Sequence, residues 1–357
     1  MQKLFTLFFF LTSCSLGLIA QTINGPESVE YDVVNNRYLV SNRSNPISIQ
    51  SLIPGQSPTL FTSGVTSPAG LEILGNKLWV CDGGRMKSFD LTSGALVNNI
   101  NLSGTFLNGI TSDGGHFLFV SDYSAKKIYR INTNTNAFYT MVSNTVTSPN
   151  GMWYDGANNR VLFVNWGSNA PVKAISLADS TVTTVVTTSQ GSCDGIGRDA
   201  AGNYFISSWG QQSIYKYDSN FGSPLGIVSG LSNPADIYYN TLNDTIAVPN
   251  AGNNTVTFHY VGTTVSIAEG TKDEIKVFPN PMNETTVFQY SLSSPSKVRL
   301  MIYSLDGGMD KIVVNENQPT GEHKVPFNTS GLAAGQYSYL LQKENKIYRG
   351  NLVITGK

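Results

Sequence analysis

The chain has 357 residues, room for two or three domains. Only 13% of them are charged, 23 Lys+Arg stand against 24 Asp+Glu, and no basic block occurs, which excludes nucleic-acid binding through a counterion-releasing basic face. With 40% apolar and 11% aromatic residues a real core can be buried, so the chain is neither collagen-like, coiled-coil nor disordered; low charge with many β-branched and turn residues points to an all-β protein.

The first three residues supply a positive start, residues 4–11 form an apolar run and residues 15–20 a weaker tail before Gln21. This reads as a secretory signal peptide over 1–20, too short for a membrane span. Leu11-Thr12-Ser13-Cys14 also fits a lipobox, so a lipoprotein is the rival; the apolar residues that follow look like more signal peptide than a polar tether. The remaining cysteines, Cys81 and Cys193, are expected to be buried free thiols.

Six segments then open alike: Pro26-Glu27-Ser28-Val29, Pro68-Ala69-Gly70-Leu71, Leu107-Asn108-Gly109-Ile110, Pro149-Asn150-Gly151-Met152, Cys193-Asp194-Gly195-Ile196 and Pro234-Ala235-Asp236-Ile237. Their third positions are 42, 39, 42, 44 and 41 residues apart. A second landmark, an apolar run ending in a small polar residue, falls 12 to 14 residues later at Asn42, Asp82, Asp122, Asn165, Ser208 and Asn250. Each copy reads as four short strands; in the third these are 110–112, 117–120, 128–131 and 138–142, with the hairpin turn Asp113-Gly114-Gly115. A unit of this size cannot bury both faces alone, and radial stacking of six copies predicts a six-bladed β-propeller over residues 22–268. Cys81 and Cys193 then lie across the channel from one another, too far apart to bridge.

Residues 269–276 are charged and read as a linker. Beyond them the repeat stops, and short alternating strands at 285–290, 297–303, 311–314, 323–327, 336–342 and 346–354 predict a small immunoglobulin-like β-sandwich over 277–357. Val277-Phe278-Pro279-Asn280-Pro281, Val298-Arg299-Leu300-Met301-Ile302-Tyr303 with Asp306-Gly307, Gly321-Glu322-His323 and Leu332-Ala333-Ala334-Gly335-Gln336-Tyr337 resemble the C-terminal sorting domain of type IX secretion cargo in Bacteroidetes. The resemblance implies export by the signal peptide, then passage through the type IX machinery as partner, with a secreted or outer-surface protein as the product.

The residue that begins each inner strand is expected at one mouth of the channel: Glu27, Ala69, Asn108, Asn150, Asp194 and Ala235. Two carboxylates and two carboxamides make a hard-oxygen set suited to a divalent cation, Ca²⁺ first, with Zn²⁺, Mg²⁺ or Mn²⁺ as others. The two carboxylates would repel each other without one. Ala69 and Ala235 are expected to leave open space beside Glu27. Ordinary turn chemistry explains the same Asn-Gly and Asp-Gly pairs. The second strand ends at the same mouth, which brings the second landmark near the site together with Tyr123, Trp166 and Trp209. Such an aromatic wall suits a sugar or other ring-shaped ligand, or else is wedged between neighbouring blades.

With Pro26-Glu27-Ser28-Val29, Asn108, Ser148-Pro149-Asn150-Gly151-Met152 and Asp194-Gly195 followed by Asp199, Gly202 and Asn203, residues 22–268 resemble the senescence-marker-protein/gluconolactonase family, regucalcin included. The resemblance implies a metal held by Glu27, Asn108, Asn150 and Asp194 that polarises a lactone carbonyl, with Asp194 as catalytic base. It also implies a substrate-holding arginine two residues before the first metal-binding Asn, where this chain has Phe106. His116, His259 and His323 form no recognisable triad with Ser and Asp. Two readings stand: a monomeric metal-dependent hydrolase of lactones or related esters, and a non-catalytic propeller that binds a glycan, peptide or protein around a structural cation. Metal titration followed by a lactone and ester screen separates them.

Overall fold

A computed structural model describes residues 22–222, 224–261, 275–304, 309–343 and 346–355. The signal peptide, the lipobox and most of the expected linker lie outside these residues. Among them every regular element is a strand apart from one 3₁₀ turn, Gly156–Asn158. No helix among them is long and apolar enough to cross a membrane.

Each repeat folds into its own antiparallel meander. Five sheets have four strands in sequence order and the sixth has three among the described residues. The first strands are Pro26–Asp32, Pro68–Leu74, Leu107–Ser112, Pro149–Asp155, Cys193–Arg198 and Tyr238–Asn240. Short polar turns set the pairing register; around the Asp113-Gly114-Gly115 turn Leu118 pairs with Ser112 and the Asp113 N–H donates to Phe117 O at 3.0 Å. Burial grades from inside to outside: Leu107–Ser112 is almost wholly buried, whereas Phe138–Val142 at the edge of the same sheet is largely exposed.

That gradient puts the first strands at the centre, where each contacts the first strand of the next sheet and the sixth contacts the first. The Asp236 N–H donates to Glu27 O at 2.8 Å across this last junction. Apolar side chains from both faces of each sheet fill six separate cores, each straddling two consecutive sheets: one runs from Leu39 and Ile49 to Leu71 and Phe89, another from Phe119 and Ile128 to Met152 and Phe163. The core joining the sixth sheet to the first contains Ala247, Val29, Tyr38 and Val40. Repeated three- and four-stranded sheets sharing cores sideways are a β-propeller-like architecture. Cys81 and Cys193 are buried free thiols.

The C-terminal region forms two further antiparallel sheets. One joins Ile275–Phe278, Thr285–Leu292 and Gly321–Asn328; the other orders Met309–Gln318, Ser296–Ser304, Gly335–Lys343 and Lys346–Ile354. Phe288, Tyr290, Leu300, Leu341 and Leu352 belong to the single core between them. Arg299 reaches back to the sixth sheet of the propeller-like region, forming an ion pair with Asp244 and donating to Thr241 O at 3.2 Å.

Candidate functional site at one mouth of the channel

Five first strands carry a β-bulge at the mouth: the register slips between Pro26 and Val29, Pro68 and Leu71, Pro149 and Met152, and Cys193 and Ile196, and opposite Val120–Asp122 in the third sheet. A bulge turns a side chain out of the regular pleat and frees a backbone N–H. Serines of the second strands accept those N–H groups: Ser41 Oγ from Ser28 at 2.8 Å, Ser121 Oγ from Gly109 at 2.8 Å and Ser207 Oγ from Gly195 at 2.7 Å. The Ser121 and Ser207 hydroxyls donate onward to Asn150 O at 3.1 Å and Ala235 O at 2.8 Å in the next sheet. The bulges that aim the mouth residues are therefore also tied between sheets.

Glu27, Asn108, Asn150 and Asp194 are all buried, and the fold brings them together. Asn108 is hydrogen-bonded to Glu27, the Glu27 charge reaches Asp194, and Asn150 Nδ2 donates to Cys193 O, the carbonyl just before Asp194, at 3.4 Å. Asn150 Oδ1 is buried without a hydrogen-bond partner, and the indole N–H of Trp209 faces the Asp194 carboxyl. Burial pushes the Asp194 carboxyl well above the usual carboxylate range, helped by the charges of Glu27 and Asp236; the Trp209 N–H and Arg43 act the other way. Burial also raises Glu27, opposed by Arg43 and Asn108.

Orphaned buried acceptors cost free energy. Such an acceptor beside the carboxyl groups of Glu27 and Asp194 fits a hard cation, and Glu27, Asn108, Asn150 and Asp194 are the residues that would hold it. Among the described residues no three His, Cys, Asp or Glu side chains are placed to hold a metal ion. The set at the mouth thus depends on carboxamide oxygens, which suits Ca²⁺ or Mg²⁺ better than Zn²⁺.

Phe106, Tyr123, Trp166 and Trp209 form one arc. Ring centroids are 5.8 Å apart for Phe106 and Tyr123, 6.2 Å for Tyr123 and Trp166, and 5.3 Å for Trp166 and Trp209, all edge to face. The rings touch across three sheets and stay partly exposed, so they are wedged against one another and line the mouth at once.

Sequence reasoning missed Arg43. Its guanidinium lies 3.4 Å from Glu27 Oε2 and 4.8 Å from the Phe106 ring centroid. Ala69 and Ala235 are wholly buried, so the open space expected beside Glu27 is absent at both. A signal for Arg43 existed: it follows Asn42 as Tyr123, Trp166 and Trp209 follow their own landmarks.

The second landmark itself is structural. Asp122 accepts from the N–H groups of Thr105, Phe106 and Ala125 at 2.7, 3.1 and 3.0 Å, and Asp82 from those of Thr66 and Ser67 at 2.8 and 2.5 Å. Asn165 accepts from Thr147 at 2.6 Å and Asn250 from Ser232 at 3.3 Å. Their carbonyl and carboxylate oxygens are spent on tying the incoming loop rather than offered to a ligand.

Residues 276–355 match the family model described as the secretion system C-terminal sorting domain. Those residues are a secretion sorting domain. The sorting domain directs the protein to the type IX machinery and places it outside the cell or on its surface. No curated protein matches the chain. Among solved structures, regucalcin from Agrobacterium tumefaciens, titled a calcium-binding protein, superposes with a TM-score of 0.55 at 14% identity over 64% of this chain and 83% of that one. A Bacteroides thetaiotaomicron protein of unknown function gives 0.56 at 14% over 68% and 70%, and a luciferin-regenerating enzyme 0.54 at 14% over 66% and 86%. Such likeness establishes a shared fold upstream of the sorting domain; function has to be argued from the site.

Proposed function

We propose that the six sheets are the blades of one closed propeller over residues 22–268, joined by a linker at 269–276 to an immunoglobulin-like sandwich at 277–357, and that its mouth is a cation-dependent hydrolytic site for a lactone or related ester. The reading rests on one observation: the partnerless oxygen of Asn150 lies beside the carboxyl groups of Asp194 and Glu27 at the aromatic arc. Glu27, Asn108, Asn150 and Asp194 would hold the divalent cation, Ca²⁺ above others, which when bound would supply Lewis acidity toward the ester carbonyl and acidify water. Phe106, Tyr123, Trp166 and Trp209 receive the ring of the substrate and exclude water from its face. Asp194, in its ionised form, takes the proton of the attacking water and returns it to the leaving alkoxide.

The resident Arg43 favours a second reading. It already pairs with Glu27, so a guanidinium occupies part of the place a cation would neutralise, as befits a non-catalytic propeller that binds a glycan, peptide or protein.

Calorimetric titration with Ca²⁺, Mg²⁺, Mn²⁺ and Zn²⁺, followed by a panel of lactones and aryl esters, tests both. Cation binding that disappears in Asn150→Ala and Asp194→Ala while circular dichroism is unchanged, with ester turnover in the wild type alone, is the expected result. A cation bound without turnover of any panel member selects the binding module. No cation bound by the wild type ends the hydrolytic reading.

A further inference from the structure

Arg43 is poorly spent for a guanidinium at a buried site. Among the described residues its side chain makes a single ion pair, to Glu27 at 3.4 Å, longer than the 2.7–2.9 Å of a strong charge-assisted bond. It lies over Phe106, which restricts its orientation, and 35% of its side chain is exposed against 7% for Glu27. Beyond that ion pair no other protein acceptor for its N–H donors is seen among the described residues, and the ring beneath gives the guanidinium a platform. That is the arrangement by which arginine takes a planar anion with two parallel hydrogen bonds.

Charge arithmetic gives the same direction. Glu27 contributes one negative charge, Arg43 one positive and a divalent cation two. For these groups alone the sum is positive whether Asp194 is counted ionised or neutral, and an ionised Asp236, whose charge also reaches Asp194, lowers it by one. A neutral sugar or lactone leaves that surplus uncompensated in a half-desolvated site, whereas a carboxylate on the ligand cancels it. From Phe106, beneath the guanidinium, the arc runs on to Tyr123, Trp166 and Trp209, so an anion held by Arg43 continues directly into a ring lying along the aromatics.

We propose that the ligand of this mouth is a ring-bearing carboxylate and that Arg43 is the residue that selects it, a deepening that rests on the cation site proposed above. Arg43 binds the carboxylate, the arc binds the ring, and Glu27, Asn108, Asn150 and Asp194 face whatever part of the ring comes nearest the channel axis. Cation and acid bind cooperatively, because a cation on Glu27 releases Arg43 from its resident ion pair.

The test uses the full mature chain at saturating Ca²⁺ and two matched probe pairs, D-glucuronate with D-glucose and phenylacetate with phenylacetamide, titrated by tryptophan fluorescence, to which Trp166 and Trp209 contribute. At least one acid is expected to bind about tenfold or more tighter than its neutral partner, as a charge-assisted bond implies. Arg43→Met is expected to erase that preference and Arg43→Lys to keep part of it, since lysine keeps the charge and loses the fork. Equal binding of acid and neutral probe, no binding of any probe, or a preference that survives in Arg43→Met overturns the proposal. Arg43→Met leaves Glu27 without its counter-ion, so thermal melts accompany each titration; should that variant fail to fold, the acid preference of the wild type and of Arg43→Lys decides. Ca²⁺ calorimetry on the same samples keeps the two readings apart. Acid selectivity dependent on Arg43 without Ca²⁺ binding sinks only the cation site, and Ca²⁺ binding without acid selectivity sinks only this proposal.

Discussion

Gly109→Ala is expected to destabilise the protein by about 3 kcal/mol or more, well beyond an ordinary surface substitution. A Cβ built on Gly109 meets Asn150 O at 2.1 Å and the Cα of Gly151 at 2.8 Å. These are backbone atoms of the neighbouring sheet, and no rotamer change relieves the clash. The same close approach recurs around the channel: a Cβ on Gly70 meets Asn108 O at 2.1 Å, on Gly151 Asp194 O at 2.4 Å, and on Gly195 Ile237 N at 2.4 Å. Glycine recurs at the third position of the repeat because consecutive first strands touch backbone to backbone there. The approached carbonyls belong to Asn108, Asn150 and Asp194, so any relief displaces the candidate site. Urea denaturation of Gly109→Ala beside Gly115→Ala measures the effect. Gly115 is exposed in the same sheet, its added Cβ meets only the Asp113 side chain at 3.4 Å, and a change within about 0.5 kcal/mol is expected. Equal stability of the two variants would mean that the strands do not approach this closely.

Those glycines also explain how much of the molecule was legible. A repeat with two landmarks in step carries its architecture in plain sight, because each copy meets the same packing problem and solves it with the same residues. The mouth was legible for a related reason: Glu27, Asn108, Asn150 and Asp194 occupy one register of that repeat. Arg43 broke the pattern because one copy spends a shared position on a long side chain that reaches two sheets away, and periodicity carries no information about reach. The second landmark misled in the opposite sense. Asp122 looks like a site residue, yet its carboxylate accepts from three backbone N–H groups of the adjoining loops. The acids deeper in the channel, Glu30 and Glu72, stand on the first strands of the first two sheets with nothing in the shared opening motif to mark them. Their significance comes from convergence, which requires the closed ring.

Those acids carry the second large prediction. A cavity of about 430 Å³ is lined by Glu30, Glu72, Ser112, Tyr154, Asp236 and Tyr238 among others. Burial pushes Glu72 up to about 7 against two hydrogen bonds from Ser112 to its Oε1. Burial likewise pushes Asp236 up to about 7, with the Ser28 hydroxyl, 2.9 Å from Oδ2, opposing and the charges of Glu27 and Glu72 adding. Glu30 lies well above its ordinary range through burial and the charges of Glu72 and Asp236, and burial with the Glu30 charge raises Tyr238 as well. Among the described residues no basic side chain lines this cavity. The folded chain therefore holds protons that the unfolded chain has released, between the ordinary carboxylate range near 4.5 and about 7. Stability linked to these groups is fully present below that window, falls as pH rises through it and stays low above it. Glu72→Gln removes one of the titrations and keeps an oxygen for both Ser112 bonds, while its amide can donate to the neighbouring carboxylates. At 1.36 kcal/mol per pKa unit, the variant is expected to be more stable than wild type at pH 8 by about 3 kcal/mol, with much less difference at pH 5. Urea midpoints at the two pH values, with unchanged slopes, check it. A variant that loses stability with pH as steeply as wild type would mean that Glu72 is ionised in the folded channel throughout, and the repulsion assigned to the carboxylates facing it would have to be dropped.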